Sequence, residues 1–111
     1  MRPESLKLLQ DIVTAGQYIQ AAMEGMSASA FADNQNVRFA VERNFIIIGE
    51  AVTRLKRDDP TCADHLPDVR RIIAFRNILV HNYEVVESKI VWDIVQQGLP
   101  DLLEQARRLL P

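Results

Sequence analysis

Apolar residues recur along this chain at intervals of three and four, and strand-like alternation is absent. From Glu4 to Met23, Leu8, Leu9, Ile12, Val13, Gly16, Ile19 and Met23 share one side of a helix, with Lys7, Gln10, Asp11, Thr14 and Gln17 elsewhere. Gly25 and Ser27-Ala28-Ser29 predict a break, then a short helical turn through Phe31 capped by Ser27 or Ser29. A second long helix is expected from Asn34 to Lys56, where Val37, Val41, Phe45, Ile48, Val52 and Leu55 form a clean stripe. Phe39, Ile46 and Ile47 lie outside that stripe, so this helix must be covered on more than one side. Phe45-Ile46-Ile47-Ile48-Gly49 therefore reads either as a dimer face or as the centre of the monomer's own core.

Asp58-Asp59-Pro60 should end that helix, because a residue before proline disfavours helical geometry. Thr61 to Leu66 reads as a loop. Pro67 suits the first turn of a third helix running to His81. The fourth begins near Glu87-Ser88, with Ile90, Val91, Ile94 and Val95 as its apolar face and Trp92 beside it. Gly98-Leu99-Pro100 should kink or restart it, and Asp101 to Leu110 completes it with Leu102, Leu103, Ala106, Leu109 and Leu110 inward. With no hairpin signal, the fold class is all-α: an antiparallel bundle of four main helices forming a single domain over residues 1–111.

Composition narrows the function classes. A chain of 111 residues, 48% hydrophobic, can bury a core without disulfides and is not disordered. Its apolar runs are too short to span a membrane, and the N-terminus leads into an amphipathic segment, not a signal core. With the lone Cys62, this points to the cytoplasm. Cys62 excludes an internal disulfide and is expected at the surface. His65 is near it, but two further ligands at metal-site spacing are not apparent. A net charge of −2 argues against coating nucleic acid through bulk charge, while leaving room for a local basic cleft. Arg54, Lys56 and Arg57 form one basic cluster, and Arg70, Arg71 and Arg76 another.

The chemistry concentrates in Arg76-Asn77-Ile78-Leu79-Val80-His81-Asn82-Tyr83. Polar groups here interrupt an apolar stretch, Ile72-Ile73-Ala74-Phe75 before them and Ile78-Leu79-Val80 among them. Such groups need partners when buried. Arg76 and Tyr83, seven apart, share a helix face; Asn77 and His81, four apart, share a neighbouring one. RNA phosphodiester cleavage suits this set. The 2′-OH attacks the adjacent phosphate, histidine moves the proton, arginine holds the phosphate and its transition-state charge, and Asn77 orients either group. That reaction needs neither metal nor cofactor. Spacing alone also fits, and by itself favours, a histidine ending its helix with Arg76 in an ion pair.

The octapeptide resembles the Arg-(four residues)-His-any-Tyr motif of HepT-like toxins of the HEPN superfamily. Val41-Glu42-Arg43-Asn44-Phe45-Ile46-Ile47-Ile48-Gly49-Glu50-Ala51 is similar to that family's second long helix. Val91-Trp92-Asp93-Ile94-Val95 with Leu99-Pro100-Asp101-Leu102 is similar to its last. The resemblance implies a homodimer with motif helices facing across a cleft. It implies a metal-independent endoribonuclease used as the toxin of a type VII toxin–antitoxin pair, with tRNA or mRNA as target. Arg76 and His81 would be catalytic and Asn77 supporting. Tyr83 would accept AMP from an MNT-type nucleotidyltransferase antitoxin. A non-catalytic HEPN module that binds a nucleotide or its transferase partner in the same cleft is the alternative.

Overall fold

A computed structural model describes residues 1–81 and 86–111. The described residues form helices joined by short turns, with no strand among them. The order is α1 (Pro3–Ala22), α2 (Ala28–Asp33), α3 (Gln35–Asp58), α4 (Pro60–Ala63), α5 (Val69–His81), α6 (Ser88–Asp93), a π-helical turn (Ile94–Gly98) and α7 (Leu99–Leu109).

The stripes of the long helices bury largely as predicted, with Val37, Leu109 and Leu110 only partly covered; on the fourth helix Ile90, read as part of the apolar face, is exposed, while Val91 and Val95 turn inward. Leu8, Leu9, Ile12, Val13 and Ile19 of α1 meet Val41, Phe45, Ile48, Val52 and Leu55 of α3 in one contiguous core, which Leu99, Leu102, Leu103 and Ala106 of α7 complete. The ends of α1 and α3 are tied together: the Ser5 hydroxyl donates to Asp59 Oδ2 at 2.5 Å, and Arg2 donates to the Asp58 carbonyl. The N-terminus of α1 thus lies at the C-terminus of α3, so the two run antiparallel. Gly16 lets α7 approach, since a Cβ there would overlap Leu103. The short α2 is capped by Ser27, which accepts from the Ala30 N–H at 3.0 Å; Phe31 is fully buried and packs on Trp92, ring centroids 6.0 Å apart. Asn34 caps α3 by accepting from the Val37 N–H at 3.0 Å.

Several expectations change. Asp59-Pro60 does not open a loop. Asp59 accepts from the Cys62 N–H at 3.3 Å and Pro60 takes the first position of α4, where its missing N–H costs nothing. That turn carries Cys62 inward, so the thiol is buried and not at the surface; burial pushes it up from the ordinary cysteine range. Pro67 does not begin α5. Asp68 adopts φ 57°, and the helix starts at Val69. Gly98-Leu99-Pro100 restarts the last helix, as expected, through a π-helical turn. Of the five residues read as a dimer face or a core centre, Phe45, Ile48 and Gly49 are buried within the chain; Ile46 and Ile47 remain half-buried.

Candidate active site

The site is built at the crossing of α3 and α5. Gly49 occupies the middle of α3, where glycine costs about 1 kcal/mol relative to alanine. Its role is contact: a Cβ at position 49 would overlap the Cβ and Cγ of Arg76. Beside this contact, Phe75 packs edge-on against Phe45 with centroids 5.3 Å apart, which fixes the roll of α5. Arg76 is therefore held against α3 with its side chain only 22% exposed.

The guanidinium is engaged at both ends. It forms an ion pair with Glu50 of α3, and Nη1 donates to Asn77 Oδ1 at 2.9 Å. Its Nε is buried and has no partner among the described residues. A pair in which Glu50 is half exposed is worth at most about 1 kcal/mol, so it aims the arginine more than it holds the fold.

His81 is the last residue of α5 and is exposed. It needs no buried partner, contrary to the expectation that the apolar helix would force one on it. Five residues of helix separate it from Arg76, about 140° of rotation and about 7.5 Å of rise. Asn77 meets the Arg76 guanidinium and shares the His81 face, whereas Arg76 and His81 point to different sides of the helix. Both roles that spacing alone allowed are present: Arg76 pairs and His81 ends its helix. Asn82 and Tyr83 lie outside the described residues.

Around His81 runs an exposed stripe of α5: Arg70, Arg71, Ala74, Asn77 and Ile78. Arg70 and Arg71 make no ion pair among the described residues, while Arg57 of the other basic cluster is held by Asp58 at 2.8 Å. Among the described residues no group of three His, Cys, Asp or Glu side chains is close enough to hold a metal ion.

Gly49 and Glu50 escaped the sequence reading as parts of the site. The signal was available: a glycine inside a long apolar helix marks a close approach, and the carboxylate after it is the natural partner for an arginine arriving there.

These features define an all-helical protein that presents an arginine, an amide and a histidine from one helix braced by another. The family profile described as "Ribonuclease HepT-like" matches residues 4–109, and the chain belongs to that family. It is similar to "Putative RNase MJ1380" of Methanocaldococcus jannaschii, 27% identical over 99 residues, covering 87% of this chain and 88% of that one. It is also similar to "Probable ribonuclease HepT" of Thermococcus cleftensis, 28% identical over 101 residues and 91% of each chain. No solved structure matches the chain at comparable significance.

Proposed function

We propose that this chain is a metal-independent endoribonuclease, the toxin of a type VII toxin–antitoxin pair, acting as a homodimer. The observation that carries the reading is Arg76: a guanidinium locked by Gly49 and Glu50 at a helix crossing, five residues before an exposed histidine, in a member of a ribonuclease family. His81 moves the proton between the 2′-OH and the leaving oxygen. Arg76 exchanges part of its Glu50 contact for the scissile phosphate and stabilises the added negative charge. Asn77 holds the guanidinium plane. Because Arg76 and His81 diverge around one helix, a second copy of α5 across a shared cleft supplies the missing convergence. Tyr83, two residues after His81, is the acceptor for AMP from an MNT-type nucleotidyltransferase; the added phosphodiester and nucleoside then block the cleft. The test is to express the chain without the transferase and map RNA ends.

The engaged state of Arg76 favours a second reading. With its charge already balanced by Glu50, the same helix can serve a non-catalytic module that binds a nucleotide or the transferase. RNA that stays intact alongside measurable nucleotide or transferase binding would select it.

A further inference from the structure

A pocket of about 440 Å³ lies between the start of α5, the middle of α3 and the π-helical turn. Its floor is apolar, with Ile48, Ile72 and Phe75, and its mouth carries Asp68, Arg71, Asp93 and Gln97. The volume falls within the range for small-ligand sites, and a few polar groups at an apolar pocket are what such sites use to orient a ligand.

Two backbone features at the mouth have no packing explanation. The π-helical turn, with its i→i+5 bonding, interrupts the last helix, a distortion frequent at functional sites. It ends in Gly98, which lines the pocket at φ −99° and ψ −38°, an ordinary right-handed conformation open to any residue. A Cβ there would meet nothing within 4 Å. Gly98 is therefore required neither by dihedral angle nor by close approach, unlike Gly49. It lines the pocket without a side chain.

The chemistry of the mouth selects a class of occupant. A flat heterocycle fits an apolar floor edged by Phe75. A carboxylate at Asp93 accepts from an exocyclic amine, and the Gln97 amide both donates and accepts. Arg71 adds a cation suited to a phosphate. Arg71 is also on the exposed stripe that ends at His81, about 15 Å away along the helix, a span that a few nucleotides of an extended strand cover. We propose that this pocket seats one splayed-out, amino-bearing base of the RNA strand, with Arg71 on its phosphate and Asp93 and Gln97 on its edge, and so sets which sequences are cut. This deepens the ribonuclease reading and rests on it for the role in cleavage. Single-stranded bases are commonly recognised in this way, splayed from the strand and read along their edges.

Two measurements separate the pocket from the nuclease. In the first, AMP, GMP, CMP and UMP are titrated into the wild-type chain and followed by amide NMR. The expected result is saturable shifts at Gln97, Gly98 and Leu99 for at least one amino-bearing nucleotide, tighter than for UMP, and lost in Gly98→Leu, which plugs the mouth without strain. Absence of shifts there, or equal shifts in Gly98→Leu, overturns the pocket whatever the chain does to RNA. In the second, cut sites in a randomised RNA are compared for wild type and Asp93→Asn. A preference for one base near the cut should weaken by about 5- to 100-fold, the discrimination expected of a good side-chain–base pair. If wild type cuts RNA and Asp93→Asn leaves the preference unchanged, the pocket does not read the substrate while the nuclease stands. If wild type cuts nothing yet binds nucleotide here, the nuclease reading fails and the base pocket survives it.

Discussion

Arg76, one of the residues the sequence singled out, is held on both sides in the structure. The pattern required a partner for a guanidinium in an apolar helix, and Glu50 and Asn77 supply it. The partner's identity was not legible, because Glu50 is 26 residues away and only the packing of α3 on α5 brings it near. Arg76→Ala should lower RNA cleavage by on the order of 10²- to 10³-fold through lost charge stabilisation, while circular dichroism stays helical. Glu50→Gln should change unfolding free energy by no more than about 1 kcal/mol in a urea titration. Tyr83→Phe should retain much of the cleavage, since no phenol enters the acid–base scheme, yet gain no AMP mass when co-expressed with the transferase. Equal AMP addition to wild type and the Phe variant would remove Tyr83 as acceptor. Cys62 shows the opposite outcome of reading a single residue: its expected exposure was wrong because the turn that buries it begins at Asp59-Pro60, a pair read only as a helix end.

At the scale of elements, the long helices were legible because their apolar stripes are clean. α1, α3 and the last helix lie within a few residues of their expected limits. Of the short elements, α2 was legible from its Ser27 cap, whereas α4 and the start of α5 were not, because they depend on Asp59 as a cap and on the unusual dihedral of Asp68. Gly49 and Gly98 make a paired prediction. Gly49→Ala forces α5 away from α3, at a cost of roughly 1–3 kcal/mol for overpacking, and should lower both melting temperature and cleavage. Gly98→Ala meets open space and should stabilise by up to about 1 kcal/mol. Thermal melts of both variants decide it; a stabilised Gly49→Ala contradicts the crossing described above. The tie between α1 and α4 is pH-dependent. The Ser5 hydroxyl, then the Cys62 N–H, hold Asp59 below its ordinary value of about 3.9 despite some desolvation. A lowered carboxylate contributes stability above that ordinary value and loses it as pH falls through the folded value. The stability gap between wild type and Ser5→Ala should therefore be full at pH 7 and shrink below about pH 4.

At the scale of the molecule, the radius of gyration is 13.7 Å, close to the ~13 Å expected for a folded chain of this length. The exposed apolar side chains thus belong to a folded surface. Phe39, Ile78, Val80 and Ile90 are each more than a third exposed, and Ile78 lies in the stripe that carries His81. A homodimer pairing these faces should bury more than about 1,200 Å² in total. Sedimentation at micromolar concentration should find the dimer; monomer alone would remove the shared cleft from the mechanism. None of the described helices is long and apolar enough to cross a membrane.

The central claim is that His81 and Arg76 cut RNA without a metal. The most direct test is purified wild type and His81→Ala, each incubated with single-stranded RNA in EDTA, with the new ends mapped chemically. Wild type should produce cyclic phosphate or 2′/3′-phosphate ends opposite 5′-hydroxyls, and His81→Ala should be slower by on the order of 10²- to 10⁴-fold with its helical spectrum unchanged. Cleavage that requires a divalent ion, or proceeds equally in His81→Ala, would contradict the account.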